Sequence, residues 1–353
     1  MRLLYSSCCC LLIGGVILLS ACKNGANPIQ NVVQHKDSAV APKTADTITP
    51  KINMLSQRIA SNPKDDNAYW MRGVMENAQK KYVPALADYK QAIKLDSTKA
   101  VYYYSLADLD FTVGHTRDSK DAFEKCISLD PKNTDAMLRL GELYFYVKKY
   151  PEALELINKA LKVNKYIGKA YFLKGMIFLE NHDTTKAISS MQTAVEQDTK
   201  YYDAYIQLGL LFTRKGNPLA LDYFNDAINL RPNQVEAYYD KGMFYQVTQD
   251  YDNAIKAYQE ILQIDSTYKY ALYNLGFVYY VHNPDYKQSI VYFDKAVHSD
   301  TNYAMAYFGR GNCYEQLGQL ERAMLDYSHT VYLNPSFTPA SEAYRAVKAK
   351  LHK

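Results

Sequence analysis

The stretch TDAMLRLGELYFYVKKYPEALELINKALKVNKYI, residues 134–167, decides the fold, because its pattern returns along the chain at a nearly fixed period. Its glycine belongs to a row of positions that carry glycine in every copy but one, where alanine stands. The successive steps along this row are 34, 34, 34, 34, 33, 34 and 35 residues. A period of this size indicates one supersecondary unit copied in tandem. The row consists of Gly73, Ala107, Gly141, Gly175, Gly209, Gly242, Gly276 and Gly311.

Each copy of the pattern predicts a pair of antiparallel helices. In the quoted stretch Tyr144 follows the glycine by three positions, and in most copies another aromatic residue precedes the glycine by four. These offsets place both rings on one stripe of a first helix. Ala153 and Ile157 follow the glycine by 12 and 16 positions and predict a second helix that approaches the first closely at the glycine. One pair cannot bury its apolar face alone, so we expect the pairs to stack.

The repeated pattern resembles that of the tetratricopeptide repeat (TPR) family. The residues that carry the resemblance in the quoted copy are Ala136, Leu140-Gly141, Tyr144, Tyr150, Ala153 and Ala160. It implies an all-α fold, a right-handed α-α superhelix (TPR solenoid) of about eight helix-turn-helix repeats with an N-terminal helix and a C-terminal cap helix. We expect the N-terminal capping helix in 51–65, the repeats in 66–337 and the cap helix in 338–353. The expected repeats are 66–99, 100–133, 134–167, 168–201, 202–234, 235–268, 269–303 and 304–337.

The first residues of the chain predict an export signal. Residues 1–21 contain a positive charge at Arg2 and an apolar run of 14 residues, Cys8 to Ala21. Such a run is too short for a transmembrane helix and is typical of a signal peptide. It ends in Leu19-Ser20-Ala21-Cys22, which resembles the lipobox of bacterial lipoproteins. The resemblance implies cleavage before Cys22 and lipidation of that cysteine; the alternative is an ordinary signal peptide that contains a cysteine.

The lipobox resemblance also predicts where the protein is. Residues 22–50 would be the lipidated cysteine and a flexible tether, since they are rich in polar residues and show little apolar periodicity. Lys23 follows the cysteine where retention in the inner membrane typically needs aspartate, which favours the outer membrane. We therefore expect a lipid-anchored protein of the bacterial cell envelope, on a face of the outer membrane that the sequence leaves open.

Composition narrows the class of partner. The net charge is +4 and no block of like charge stands out, so neither nucleic acid nor an anionic membrane surface is indicated. Most of the 34 tyrosines fall on repeat positions, where packing explains them. Cys126 and Cys313 also lie on repeat positions and are expected to be buried free thiols.

The sequence contains no pattern that predicts catalysis. Neither a His-Glu-x-x-His pair, a Cys-x-x-Cys pair, a Walker-type glycine loop nor a nucleophile elbow occurs, and the seven histidines lack metal-ligand spacing. We expect no catalytic residue, metal or cofactor, and a protein that is not an enzyme. Glu76 and Asp110 occupy a slot that holds an aromatic residue in repeats three to eight, and Arg72 is expected to pair with Glu76.

The TPR resemblance implies that the first helices line a concave groove. Aromatic residues would line this groove, and its charge would be slightly negative because of residues such as Asp203 and Glu236. It suits a protein or peptide partner with apolar and basic character. An acidic C-terminal tail does not fit, because Trp70 and Val74 replace the Lys and Asn that the family uses for such tails. The candidate groove residues are Trp70, Tyr104, Phe111, Phe145, Phe172, Tyr239, Tyr273, Phe277, Tyr280 and Phe308; packing between helices is the alternative role for those at the fifth position of each repeat.

Two functions follow from these features. The first is a membrane-anchored scaffold for protein–protein interactions in the cell envelope. The second is an envelope lipoprotein that binds a glycan or another ligand on its aromatic groove. Two observations favour the scaffold. Surfaces that bind sugars favour tryptophan, and the chain has only one. TPR-containing lipoproteins that bind nutrients carry long insertions between repeats, whereas the repeat length here is nearly constant. Replacing Tyr239 and Tyr273 by alanine is expected to weaken partner binding without loss of helix.

Overall fold

A computed structural model of the chain describes residues 45–282 and 284–352, with side chains from residue 48 onward. Within these ranges the chain forms 18 helices and no strand, which confirms the all-α prediction. The expected signal peptide, the lipidated Cys22 and most of the tether lie outside the described residues. Among the helices in the described part, none is both long and apolar enough to cross a membrane.

The chain divides into two compact units at Val163. Within each unit successive helices pack against one another as antiparallel pairs. The helices of the first unit are α1 Ala45–Ser61, α2 Asp66–Ala78, α3 Tyr82–Leu95, α4 Ala100–Thr112, α5 Thr116–Leu129, α6 Thr134–Tyr146 and α7 Tyr150–Val163. Those of the second unit are α8 Gly168–Glu180, α9 Thr184–Gln197, α10 Tyr202–Thr213, α11 Leu219–Leu230, α12 Val235–Val247, α13 Tyr251–Ile264, α14 Lys269–Val281, α15 Tyr286–Ser299, α16 Ala304–Gln316, α17 Leu320–Leu333 and α18 Thr338–Leu351.

The repeated glycines are the points where the two helices of a pair touch. A Cβ atom on Gly209 would lie 2.3 Å from Cε1 of Phe224, and one on Gly242 would lie 2.5 Å from Cε1 of Tyr258. Both rings are fully buried, so they have no room to retreat. At Gly141 the nearest atom is a side-chain carbon of Ile157 at 3.4 Å, an ordinary contact. The close approach predicted from the sequence is therefore confirmed, and of the glycines in the row it is tightest at Gly209 and Gly242, where the second helix supplies an aromatic ring.

The turns inside the repeats share one backbone conformation. The fifteenth residue of seven repeats has a positive φ: Lys80, Gly114, Lys148, His182, Gly216, Gln249 and Gly318. A residue in this left-handed region ends a helix and allows the chain to reverse. Four of the seven are not glycine and therefore adopt a conformation that their Cβ atoms disfavour.

We predict that His182→Gly stabilises the second unit. The φ of His182 is 59°, so glycine relieves a Cβ clash that costs about 1–2 kcal/mol, and part of this gain is lost because glycine is freer in the unfolded chain. We expect a net gain of about 0.5–1 kcal/mol in urea unfolding. The neighbouring Asn181→Gly is the matched control, since its φ is −85° and glycine there relieves nothing. Equal effects of the two substitutions would contradict the explanation.

The described N-terminal helix is longer than expected. Helix α1 begins at Ala45, six residues before the expected start at 51, and it contains Pro50. The expected tether extends to residue 50, whereas Pro50 lies inside this helix, where it has no N–H to donate to the carbonyl four residues earlier. The side-chain amide of Gln79, just after α2, donates to the hydroxyl of Thr49 at 3.2 Å and holds this early turn against the first repeat.

The two arginines that directly precede a glycine of the row, Arg72 and Arg310, form largely buried ion pairs. Arg72 does not pair with Glu76; its guanidinium donates to both oxygens of Asp88 in α3, at 2.7 and 2.8 Å. Arg310 makes the same two-pronged contact with Asp326 in α17. A planar guanidinium forms two parallel hydrogen bonds with a carboxylate that faces it. Asp88 faces Arg72 from the neighbouring helix, whereas Glu76 lies one turn away on the same helix and is less well placed for this geometry.

The two described cysteines are buried and free, as predicted. Burial raises the pKa of each thiol to about 11. Because the thiolate is the reactive form, neither Cys126 nor Cys313 is a site of thiol chemistry at neutral pH.

Candidate functional site

The structure separates the ten groove candidates into buried and accessible residues. Phe145, Phe172 and Tyr273 are buried, at 5%, 1% and 7% exposure, and are corrected here to core residues. The other seven are half-buried. Alanine at Tyr273 would therefore open a cavity, so it is not a clean test of partner binding.

Packing explains why the fifth position of each repeat is so often aromatic. Phe308 lies 5.6 Å from the ring of Tyr327 in its own second helix and 5.0 Å from Phe337, just before the next helix. Tyr104 contacts Phe123 in the same way, at 5.9 Å. The ring at this position thus fills the wedge between two helices and a linker. The packing role that the sequence left open for these residues is the main one.

In the first unit two of the candidate residues, Trp70 and Phe111, contact polar groups of the chain. The indole N–H of Trp70 donates to the hydroxyl of Ser105 at 2.9 Å. The guanidinium of Arg139 lies over the ring of Phe111 and bonds to Asp108 and to Glu142. Asp108 and Glu142 are therefore neutralised within the chain.

The second unit holds a cluster of tyrosines on α12, α14 and the linkers before α14 and α16. Tyr239 lies 6.2 Å from Tyr268 and 6.3 Å from Tyr270, measured between ring centroids. Tyr303 lies 5.8 Å from Tyr270 and 5.3 Å from Tyr273. The rings meet edge to face or tilted, as aromatic quadrupoles prefer. Tyr270 is the most accessible of the five, at 41% exposure.

Two acidic residues of α12 border this cluster. Glu236 accepts a hydrogen bond from the hydroxyl of Tyr202 at 3.3 Å. Asp240, one helical turn further, makes no hydrogen bond or ion pair with any residue that the structure describes. Burial, and then the nearby charge of Glu236, raise the pKa of Asp240 to about 8. We call Glu236, Tyr239, Asp240, Tyr268, Tyr270, Tyr273 and Tyr303 the acidic tyrosine site.

The acidic tyrosine site also contains a buried hydroxyl without a partner. The phenol oxygen of Tyr303 is closed off from solvent and has no hydrogen-bond partner in the described part of the chain. Burial raises its pKa well above the ordinary value. A buried polar group that lacks a partner costs about 1–3 kcal/mol. The site therefore contains two desolvated polar groups without a partner in the described chain, the carboxyl of Asp240 and the phenol of Tyr303.

A cation of the chain itself already lies on one side of these rings. The ammonium group of Lys269 lies 5.1 Å from the ring centroid of Tyr270 and 5.5 Å from that of Tyr303. It is held there by Asp300 at 2.5 Å. The tyrosine faces thus accept an ammonium group when a carboxylate is close by. Asp240 is likewise a carboxylate close to a tyrosine of the cluster, Tyr268, but it forms no ion pair with a described residue.

Sequence reasoning found part of this site. It named Tyr239, Tyr273 and Glu236 but missed Asp240, Tyr268, Tyr270 and Tyr303. Asp240 could have been found, because the sixth position carries an acidic residue in no other repeat. Tyr268 and Tyr303 also had a signal, because the last position is aromatic in four of the eight repeats, and each of these rings contacts the ring at the fifth position of its repeat: Tyr201, Tyr268, Tyr303 and Phe337.

Comparison with known proteins decides the family of the repeats. Models of the tetratricopeptide repeat match residues 104–166, 143–202, 235–268 and 304–337. The last two ranges coincide with the sixth and eighth expected repeats. The chain contains tetratricopeptide repeats. Its TPRs resemble those of anaphase-promoting complex subunit 3 of Schizosaccharomyces pombe, with 24% identity over 181 residues, 51% of this chain and 27% of that protein.

Two further similarities bear on the TPR fold. The peroxisomal targeting signal receptor of Candida albicans is 26% identical over 243 residues, which cover 63% of this chain and 39% of the receptor. This chain therefore spans less than half the length of either relative. The crystal structure of the C-terminal part of a TPR protein from Cytophaga hutchinsonii superposes with a TM-score of 0.58 at 21% identity, over 68% of this chain and 98% of that one. This likeness supports the TPR solenoid, and TPRs support a role in protein–protein interaction.

Proposed function

We propose that this protein is a membrane-anchored TPR scaffold of the bacterial cell envelope that binds partner proteins at the acidic tyrosine site. The observation that carries the proposal is Asp240, a half-buried carboxylate without a hydrogen bond or ion pair in the described chain. Desolvation without a partner disfavours the charged form of this carboxyl, and a positively charged group of a partner protein would stabilise that form. A binding role accounts for this residue, whereas no catalytic group accompanies it.

The chemistry of the site specifies a basic partner segment. The ammonium of a lysine or the guanidinium of an arginine would pair with Asp240 and lie against the ring of Tyr239 or Tyr268. Exposed Tyr270 offers an apolar contact for a neighbouring side chain of the same segment. An acidic segment would instead face Glu236 and Asp240 with like charge. The name of the similar receptor from Candida albicans, which refers to a targeting signal, agrees with recognition of a peptide segment.

The alternative role, glycan binding, has weaker support. The one tryptophan, Trp70, uses its N–H on Ser105 and leans on Tyr102 at 5.8 Å between ring centroids. It is therefore engaged in packing between the first two repeats and is half-buried. Asp240 lacks a positively charged partner in the described chain, and a neutral glycan cannot provide one.

The test of partner binding is photo-cross-linking in living cells. Benzoylphenylalanine at position 270 is expected to capture a protein segment that contains lysine or arginine, and capture should fall in Asp240→Asn. The matched control places the same residue at Tyr332, a 78% exposed tyrosine on the second helix of another repeat, and should not capture that segment. Capture of the same segment from both positions, or of an acidic segment from 270, would contradict the proposal.

Membrane anchoring is tested separately. The proposed lipid on Cys22 supplies several acyl chains, and more than one chain is needed for stable anchoring. Cys22→Ala is expected to move the protein from the membrane fraction to the soluble fraction. Retention of this variant in the membrane fraction would refute the lipid anchor and leave the binding proposal untouched.

A further inference from the structure

Outside the acidic tyrosine site, Asp110 at the end of α4 is a buried carboxylate that the packing of the repeats does not explain. It occupies the slot that holds an aromatic residue in repeats three to eight, yet its side chain is only 1% exposed. One carboxylate oxygen lies 3.0 Å from Nδ1 of His115. The other oxygen is buried and has no hydrogen-bond partner in the described chain. A carboxylate so placed needs a further positive partner.

The turn between α4 and α5 brings two more ligand groups to Asp110. Gly114 has a φ of 87°, and the backbone N–H of His115 donates to the carbonyl of Asp110 at 2.8 Å, so the chain reverses tightly. Asp118 then falls in the first turn of α5. One ligand atom from each of Asp110, His115 and Asp118 lies within 4.8 Å of the other two.

These separations suit a small divalent cation. In a tetrahedral zinc site with bonds of about 2.0–2.2 Å, ligand atoms are roughly 3.3–3.6 Å apart. The Asp110–His115 separation of 3.0 Å is already close to that value. The side chains of His115 and Asp118 are exposed and can change rotamer, so the carboxylate of Asp118 can approach to the ligand separation of such a site. An imidazole with two carboxylates favours zinc over the all-oxygen cations calcium and magnesium.

We propose that Asp110, His115 and Asp118 bind one Zn²⁺ at the turn of the second repeat, with water completing the coordination. The positive charge of the ion would compensate the buried carboxylate of Asp110, one oxygen of which lacks a hydrogen-bond partner. It would also link the end of α4 to the start of α5. The sequence concealed this site, because a single histidine with aspartates five residues before and three residues after it matches no familiar metal motif.

The test is zinc titration by calorimetry on the full chain, with Cys8, Cys9, Cys10 and Cys22 changed to serine so that their thiols do not bind metal. We expect one equivalent of Zn²⁺ to bind, and His115→Gln and Asp118→Asn each to weaken binding at least about tenfold. Both side chains are exposed, so neither substitution should unfold the repeat. His182→Gln, at the corresponding turn of the fourth repeat, is the matched control and should bind as the parent does.

Three outcomes would overturn the zinc proposal. They are the absence of saturable binding, binding that survives both His115→Gln and Asp118→Asn, and equal loss in His182→Gln. Thermal unfolding offers a second readout, because Zn²⁺ held between α4 and α5 should raise the melting temperature of the parent and not that of His115→Gln.

Discussion

Above about pH 8, where Asp240 is mostly ionised, Asp240→Asn is expected to weaken binding of the segment captured at position 270 by about tenfold to a hundredfold. Asparagine keeps the size of the side chain but removes the charge that the basic residue of the segment requires. The effect is measured as the dissociation constant of the synthetic segment for the parent and the variant. Asp222→Asn, which removes the same charge from an exposed position on α11, is the control and should change affinity little.

The pH dependence of binding gives this prediction a second readout. The free protein holds the pKa of Asp240 at about 8 through burial and through Glu236, and the tyrosines that face it are Tyr202, Tyr258 and Tyr268. A cation binds the ionised form, so affinity should rise as pH increases towards about 8 and then level off. Asp240→Asn should flatten this rise. An unchanged profile would place the basic residue of the segment elsewhere.

The same carboxylate also makes a prediction about the unliganded protein. The folded pKa of Asp240 lies above its unfolded value of 3.8, so folding favours the protonated form. Its contribution to stability is therefore full below about pH 4 and is lost as pH rises to about 8. Because the side chain is half-buried and partly screened, we expect Asp240→Asn to raise stability at pH 8 by about 1–3 kcal/mol.

Gly209→Ala is expected to destabilise the second unit by about 2–3 kcal/mol. The new methyl would lie 2.3 Å from Cε1 of Phe224, a ring that is fully buried and cannot turn aside. Overpacking of this kind outweighs the gain of about 1 kcal/mol that alanine brings to a helix interior. Urea unfolding followed by circular dichroism, with hydrogen exchange at the amides of α10 and α11, measures the loss and locates it.

Gly141→Ala is the matched control for the glycine prediction. Its new methyl would meet Ile157 at 3.4 Å, an ordinary van der Waals distance. The same substitution should therefore be neutral or stabilising by up to about 1 kcal/mol in the first unit. If Gly209→Ala and Gly141→Ala behave alike, the aromatic rings are not what makes glycine necessary along the row.

The periodic part of the sequence predicted the helices well, for a physical reason. A helix pair buries its apolar face only through positions that recur in every copy, so the glycine row and its aromatic partners located each first helix. Helices α2, α4 and α6 begin at residues 66, 100 and 134, where the expected repeats begin. Features that depend on a single copy were harder to predict. Helix α1 extends through Pro50, and Arg72 pairs with Asp88 rather than with Glu76.

The candidate site was less predictable than the fold. Position within the repeat identified which residues lie on the first helices, but it did not distinguish a ring that fills a wedge, such as Phe172, from a ring that faces solvent, such as Tyr270. The repeat pattern says nothing about charge balance either. Asp108 and Glu142 are matched by Arg139, whereas Asp240 has no such match, and only the side-chain contacts reveal this difference.

The central claim, that Asp240 receives a basic side chain of a partner protein, is tested most directly by a double-mutant cycle. The cycle combines Asp240→Asn with replacement of the basic residue of the captured segment by glutamine, and it measures the four dissociation constants. A direct pair predicts a coupling free energy of at least about 1.5 kcal/mol, so that the second substitution costs little once the first is present. A coupling free energy near zero would contradict the account.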